Sequence, residues 1–138
     1  MSNDFIDAAQ RHWNDAEHLA AAMRWPNADQ LYAFTAECAL KAVMAGLGMK
    51  VRPDGSPERP YRIHIDKLWS EFHTLANGTG ASTYAAMLAG QNPFHDWSVD
   101  QRYWHSSSVT AVQAQLHRRG AETAKQVLNQ ARIDGRVS

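Results

Sequence analysis

Apolar side chains recur every three or four residues along most of this chain, the spacing of one face of an α-helix. In the first segment these positions are Phe5, Ala9, Trp13, Ala16, Ala20 and Met23. Asn3 or Asp4 can cap the start of this helix. Pro26 is expected to end it after Trp25, because proline has no backbone N–H to continue the hydrogen-bond ladder. The pattern therefore predicts a first long helix ending at residue 25.

A second helix is predicted directly after the first. Asn27, followed three residues later by Gln30, forms a capping-box pattern that indicates a new helix start. The helix is expected to end at Gly46 or Gly48, because glycine is favoured just past a helix end. Its predicted core-facing residues are Leu31, Thr35 or Phe34, Cys38, Val43 and Leu47. With so short a turn between them, the two helices are predicted to pack antiparallel.

Three further segments show helical spacing, and none shows the alternation of a strand. The sequence HIDKLWSEFHTLA predicts a third helix, and STYAAMLAG a short one capped by Ser82 or Thr83. The last helix is predicted to follow Ser108 and to end at about Arg132. Its apolar residues are Val109, Val112, Leu116, Ala124, Val127, Leu128 and Ala131. The predicted fold is all-α, an up-and-down bundle of four long helices and one short helix in a single domain spanning 1–138.

Two connections interrupt the helical pattern. Residues 48–62 hold three of the five prolines and are predicted to form an exposed loop. The loop is locally basic, since Lys50, Arg52, Arg59 and Arg62 outnumber its two acidic residues. It is either a solvated loop or a basic flap over a nucleotide or RNA. Residues 91–107 form the second connection, which precedes the last helix.

Composition limits the classes of function. Fourteen Lys and Arg residues balance fourteen Asp and Glu residues, so any affinity for nucleic acid must come from a local patch. A single cysteine, Cys38, fits a reducing compartment. The first ten residues do not resemble a signal peptide, and no apolar run approaches the ~20 residues of a membrane span. A soluble cytoplasmic protein with no membrane partner is predicted.

Sequence motifs for metals and phosphate-binding cofactors are missing. His12 and His18 are six residues apart, a spacing that does not place them on one helix face. The chain has no HExxH, no paired CxxC, no P-loop and no GxGxxG. We therefore expect neither a metal site nor a cofactor.

The second connection contains DWSVDQRYWHSSS, which combines groups able to bind phosphate and move protons. The planar fork of Arg102 suits bidentate binding of phosphate. His105 can exchange a proton near neutral pH. Trp97 and Trp104 lie in a loop, where they are less easily buried and could stack on a base or line a dimer interface.

The same connection has a purely structural interpretation. Arg102 could pair with Asp96 or Asp100, while Tyr103 and Trp104 close the end of the bundle. The serines at 106–108 are predicted to be N-caps of the last helix.

Several short motifs resemble the HEPN family (higher eukaryotes and prokaryotes nucleotide-binding). Its A…E..LKA core is matched in the second helix by Ala36, Glu37, Leu40, Lys41 and Ala42. HIDKLW resembles the family's H..L segment, and WSVDQRYW resembles its RYP-type loop, with a tryptophan in place of proline. Glu37 and Lys41 are also four apart in the order that favours an ion pair on a helix, so we expect them to be structural.

The resemblance implies a helical bundle that dimerises near its functional cleft. Some members of the family are metal-independent RNases with an R-x(4–6)-H motif near the last helices. Others bind nucleotides or RNA, or pair with a nucleotidyltransferase in a toxin–antitoxin module. This chain departs from the RNase motif, because His105 follows Arg102 by only three residues. Arg59 and His64 match R-x(4)-H, but at the start of the third helix.

Three functions follow from these expectations. The first is a non-enzymatic nucleotide- or RNA-binding component of a toxin–antitoxin or defence module, with a nucleotidyltransferase and a second copy of the chain as partners. The ligand-binding residues predicted for it are Arg102, Tyr103, Trp104, Arg59 and Arg62. The second is a divergent metal-independent endoribonuclease using Arg102 with His105 or His64. The third is a purely structural dimerisation domain.

Overall fold

Residues 2–138, the part of the chain described by a computed structural model, form five α-helices and no β-strand. The helices are α1 (Phe5–Ala21), α2 (Trp25–Gly46), α3 (Ile65–Gly78), α4 (Ser82–Met87) and α5 (Ala111–Ile133). Two short 3₁₀ helices, Val99–Tyr103 and Ser106–Ser108, precede α5. Four of the α-helices are long and one is short, so the predicted all-α class is confirmed.

The helix α2 lies at the centre of the bundle. It packs chiefly against α1 and α5 and also against α3, so apolar residues occur around most of its circumference. Thr35, Cys38, Val43 and Leu47 are buried as predicted, whereas Leu31 and Phe34 are half-buried. Three residues join α1 to α2, and the two helices pack along their length, so they run antiparallel as predicted.

The boundary between α1 and α2 differs from the prediction. The first helix ends at Ala21, and α2 begins at Trp25 with Pro26 in its first turn, so a helix start capped by Asn27 was wrong. The reason is that proline is accepted in a first turn, where its missing N–H has no intrahelical partner anyway. Asp4 does cap α1, by accepting a hydrogen bond from the backbone N–H of Asp7 at 3.0 Å.

A Schellman motif ends α1 with an unusual residue. The N–H of Arg24 donates to the carbonyl of Leu19 at 2.8 Å, and that of Met23 to Ala20 at 2.9 Å. Met23 has a φ of 58°, the left-handed conformation in which glycine is favoured. The turn from α1 into α2 therefore has methionine at a position where the backbone conformation favours glycine.

The start of α5 also differs from the prediction. Thr110 caps it and forms a capping box with Gln113, whereas the serines at 106–108 form a separate exposed 3₁₀ helix. The predicted core positions Val112 and Leu116 are exposed, Val112 by 70%. The buried face runs instead through Ala114, His117 and Ala121, which are spaced by three and four residues. The cap of α4 is Ala81 rather than Ser82 or Thr83.

The segment 91–108 lies against α5 and α2 rather than away from the bundle. A β-carbon at Gly120 of α5 would lie 2.7 Å from Phe94 and 2.7 Å from Pro93, so only glycine permits this contact. Trp97 is buried and packs against Phe34 and His64, which makes its predicted exposure wrong. The segment thus has one face in the core and one in solvent.

The 48–62 connection follows the C-terminal end of α2 and is mostly exposed. The carbonyl of Asp54 accepts a hydrogen bond from the N–H of Asn3 at 2.7 Å, and Ser56 and Pro57 are buried. Across residues 2–138 no helix has the length and apolar content that a bilayer crossing requires.

Candidate functional site: an arginine groove at the start of α2

A groove of about 470 Å³ lies where the α1–α2 turn meets the segment before α5. Arg24 and Trp25 line it from the turn, and Arg102 and Trp104 line it from the 3₁₀ segment. We call it the arginine groove, after the two arginines in its lining. Two cations and two indole rings therefore share one surface depression.

The local backbone favours anions in the arginine groove. The first turn of α2 leaves backbone N–H groups without intrahelical acceptors, and these carry a partial positive charge. Within residues 2–138, no side chain caps this turn at Arg24, and the turn itself contains no acidic residue. The helix start and the two guanidinium groups therefore add to one another as an anion-binding surface.

Met23 lines the same groove and is 74% exposed. Its left-handed backbone costs about 1–2 kcal/mol relative to an ordinary conformation. Strained backbone of this kind is held by the surrounding structure and clusters at ligand-binding and switch sites. An exposed thioether at the rim adds apolar surface to a groove that already holds two indole rings.

Arg102 is available for a ligand. In the described part of the chain it forms no ion pair, so the predicted pairing with Asp96 or Asp100 was wrong. Its guanidinium lies 4.8 Å from the centre of the Tyr103 ring, which orients it by a cation–π contact. Tyr103 is 77% exposed and Trp104 is also exposed, so they do not close the end of the bundle.

The 3₁₀ helix that carries Arg102 is attached to the core through its neighbour Gln101. Gln101 is buried and donates from Nε2 to Oδ2 of Asp29 at 2.8 Å, and its side chain forms a capping box with Ser98. Because Gln101 also lines the groove, the site is attached directly to a polar core network.

That polar network centres on His117, a residue that was not predicted to belong to the site. Its Nδ1 hydrogen-bonds to Oδ1 of the fully buried Asp29, and its Nε2 to Oδ1 of Asp96 at 2.8 Å. Burial opposes protonation, yet the two carboxylates outweigh it and raise the pKa of His117 above its ordinary value. The imidazolium thus bridges α5, α2 and the 91–108 segment. A polar residue at helical spacing between Ala114 and Ala121 is the one signal that could have revealed it.

His105, a predicted catalytic residue, is engaged in local structure. Its Nδ1 accepts a hydrogen bond from the backbone N–H of Ser107 at 3.1 Å and lies 2.9 Å from the Ser107 hydroxyl. It therefore caps the 3₁₀ helix 106–108, and it does not line the arginine groove, although Ser106 does.

His64, the other predicted catalytic histidine, lies in a different cluster. Its Nδ1 is 2.9 Å from Oε1 of Glu37, whose Oε2 accepts a hydrogen bond from Nζ of Lys41 at 3.0 Å. The bond to Glu37 raises the pKa of His64 despite partial burial. Burial acts to raise the pKa of Glu37, but its two cationic partners lower it overall. The expected Glu37–Lys41 pair is confirmed, with Lys41 buried.

The predicted site residues are only partly brought together. Arg102 and Trp104 share the arginine groove, and Tyr103 stands exposed beside them. Glu37, the partner of His64, is ten residues along α2 from the groove residue Asn27, roughly 15 Å at 1.5 Å per residue. Arg59 and Arg62 belong to the 48–62 connection and do not line the groove. Arg24 and Trp25, which do, were not predicted as site residues.

Within residues 2–138, no group of three or more His, Cys, Asp or Glu side chains is arranged so that it could hold a metal ion. No protein-family model, curated protein or solved structure matches the chain.

Proposed function

We propose that this protein is a non-enzymatic, HEPN-like binding protein for nucleotides or single-stranded RNA, acting through the arginine groove. The observation that carries the proposal is the convergence of Arg24, Arg102, Trp25 and Trp104 on one groove at the start of α2. Arginine forks bind phosphate oxygens in pairs, and indole rings stack on bases whatever their sequence. The groove therefore offers arginines to the phosphate of a nucleotide and indole rings to its base.

Within this proposal the two arginines have different tasks. Arg102, oriented by Tyr103 and supported through its neighbour Gln101, binds a phosphate group. Arg24 and the first amides of α2 contribute a second positive centre at the other wall. Because the net charge of the chain is zero, this local patch supplies the electrostatic attraction, and binding weakens as salt is raised.

A fluorescence-anisotropy titration with a labelled single-stranded RNA of roughly 10 nucleotides at low salt tests the proposal. We expect the wild-type chain to bind, and Arg102→Ala to weaken binding roughly tenfold or more, because a charged hydrogen-bond partner is lost. Arg59→Ala is the matched control, since it removes an exposed arginine outside the groove and is expected to leave the affinity unchanged. Equal losses in the two variants would reject the arginine groove as the site.

A metal-independent RNase is the second candidate, and the His64–Glu37 pair favours it. Glu37 binds one ring nitrogen of His64, and the His64 side chain is 47% exposed, an arrangement that suits a general acid or base. Incubation of labelled RNA in EDTA with wild type, His64→Ala, His105→Ala and Arg102→Ala tests it. Cleavage that needs His64 or Arg102 would make the protein an enzyme, whereas intact RNA under all conditions favours binding alone.

The proposal includes a homodimer, a cytoplasmic location and a place in a toxin–antitoxin or defence module with a nucleotidyltransferase partner. The module and this partner rest on the HEPN resemblance alone. The dimer is supported by the exposure of Val112 on α5, a large apolar side chain outside the arginine groove that a second copy would cover. Light scattering coupled to size-exclusion chromatography tests it, with Val112→Lys expected to shift a dimer towards monomer. A mass of one chain at all concentrations would remove the dimer, and with it the purely structural alternative.

A further inference from the structure

A second pocket, of about 340 Å³, lies away from the arginine groove and is lined by α3, α4, α5 and the start of the 91–108 segment. We call it the α5 pocket. Trp69, Leu88 and Pro93 form apolar parts of its lining, and the exposed Met87 and Leu116 extend them. Its volume is in the range of pockets that hold small molecules.

One wall of the α5 pocket contains a polar group without a partner. Trp69 is buried, and its indole Nε1 has no hydrogen-bond acceptor in the described part of the chain. Buried donors in native proteins are normally satisfied, so an ordered water is the partner expected for this N–H. The ring of Trp69 is the part of this residue that offers apolar surface to a ligand.

Two opposite charges line the same pocket. Asp96 is fixed there by His117 through one carboxylate oxygen, and 39% of its side chain remains exposed. Arg119 is exposed and forms no ion pair with any residue of the 2–138 range. The two side chains therefore face one cavity without neutralising each other.

From this arrangement we propose that the α5 pocket binds a free amino acid with an apolar or aromatic side chain. The ammonium group of the ligand pairs with Asp96 and its carboxylate with Arg119, while its side chain contacts Trp69, Leu88 and Pro93. A ligand with only a negative charge would leave the second carboxylate oxygen of Asp96 without a partner, and one with only a positive charge would leave Arg119 without one. A zwitterion is the class of small molecule that satisfies both.

The proposal is independent of RNA binding, because the arginine groove and the α5 pocket share no lining residue.

Gly120 helps to shape the α5 pocket. Close packing of Pro93 and Phe94 against Gly120 fixes the segment that carries Asp96, and Gly120 itself lines the pocket. The pocket is therefore preformed rather than dependent on a ligand to close it.

The test is a titration of the full chain with L-phenylalanine and L-leucine, followed by the ¹⁵N–¹H NMR signal of the Trp69 indole, assigned with Trp69→Phe. N-acetyl-L-phenylalanine, which lacks the ammonium charge, and L-phenylalanine amide, which lacks the carboxylate, are matched probes. We expect the zwitterions to shift the Trp69 signal and each blocked probe to bind roughly tenfold more weakly or worse. No shift with either amino acid, or equal binding of the blocked probes, would overturn the proposal.

Two variants test the contact between the ligand carboxylate and Arg119. Arg119→Gln is expected to weaken binding of L-phenylalanine while leaving that of its amide unchanged, because only the carboxylate contact is lost. Arg132→Gln, which alters an exposed arginine of α5 outside the pocket, is the control and should change neither. If Arg119→Gln leaves the affinity for L-phenylalanine at the wild-type value, the assigned carboxylate contact is wrong. RNA binding by Arg119→Gln should stay at the wild-type level, so failure here is distinguishable from failure of the arginine groove.

Discussion

The two faces of the 91–108 segment differ in burial and in their contacts, although their residues lie within a few positions of one another. On the inner face Phe94, Trp97 and Gln101 are buried, and Gln101 binds Asp29. On the outer face the side chains of Arg102, Tyr103 and Trp104 are exposed, and Arg102 contacts the ring of Tyr103. One face of this segment therefore stabilises the fold, and the other is accessible to a ligand. Substitutions on the inner face should therefore change folding, and those on the outer face should change binding.

The largest effect is expected at His117. His117→Ala leaves the buried carboxylate of Asp29 without its cation, so the free energy of unfolding should fall by about 3–5 kcal/mol. Urea denaturation followed by circular dichroism measures it. Asp100→Asn, at an exposed residue whose side chain has no partner within residues 2–138, is the outer-face control and should change stability by less than about 0.5 kcal/mol. Equal stabilities of the two variants would remove the distinction between the faces.

The next effect is expected at Gly120. In Gly120→Ala the new methyl group would overlap Phe94 and Pro93, so the free energy of unfolding should fall by about 1–3 kcal/mol in spite of the better helix propensity of alanine. Gly78→Ala near the end of α3 is a suitable control, because a β-carbon there meets no atom within 4 Å. A stabilised Gly120→Ala would show that the segment does not pack closely on α5.

A smaller effect of opposite sign is expected at the strained turn. Met23→Gly relieves the left-handed strain, and the more flexible unfolded chain offsets part of the gain, so stability should rise by up to about 1 kcal/mol. The same variant should bind RNA less tightly than wild type, because the groove loses an apolar rim. Thermal unfolding and the anisotropy titration give the two results. Loss of stability would show that the Met23 side chain holds the turn in place.

The smallest effect is the pH dependence of stability. The pKa values of His117 and His64 are raised by their carboxylate partners, so the stability they contribute is complete below about pH 6.5 and is lost as pH rises through their folded-state pKa values. Burial and Arg11 lower the pKa of His12, which contributes with the opposite sign, losing stability as pH falls below 6.5. Denaturation midpoints between about pH 6 and pH 9 should therefore decline, and less so in His117→Gln. A flat or rising profile in wild type contradicts the charged His117 bridge.

Helical periodicity was sufficient to predict the fold class, because each long helix buries a regular apolar stripe. It was insufficient where tertiary contacts decide. Val112 and Leu116 fit the stripe of α5, yet the bundle buries the face through His117 instead. Trp97 lies in a loop but is buried, because that loop packs against α2.

The candidate site was predictable in part. Arg102 and Trp104 are close in the sequence, so local composition identified them. Arg24 and Trp25 reach the same groove only through the antiparallel turn, which a single sequence does not place in space. The Asp29–His117–Asp96 bridge joins three separate parts of the chain, so no local pattern contains it.

The most direct test of the central claim is where RNA contacts the protein. Single-stranded RNA containing 4-thiouridine, cross-linked to the wild-type chain by light and mapped by mass spectrometry, gives the contact residues. We predict cross-links at Trp25 and Trp104 that fall sharply in Arg102→Ala, while the denaturation midpoint of this variant stays at the wild-type value. Cross-links confined to the 48–62 connection, or unchanged by Arg102→Ala, would contradict it.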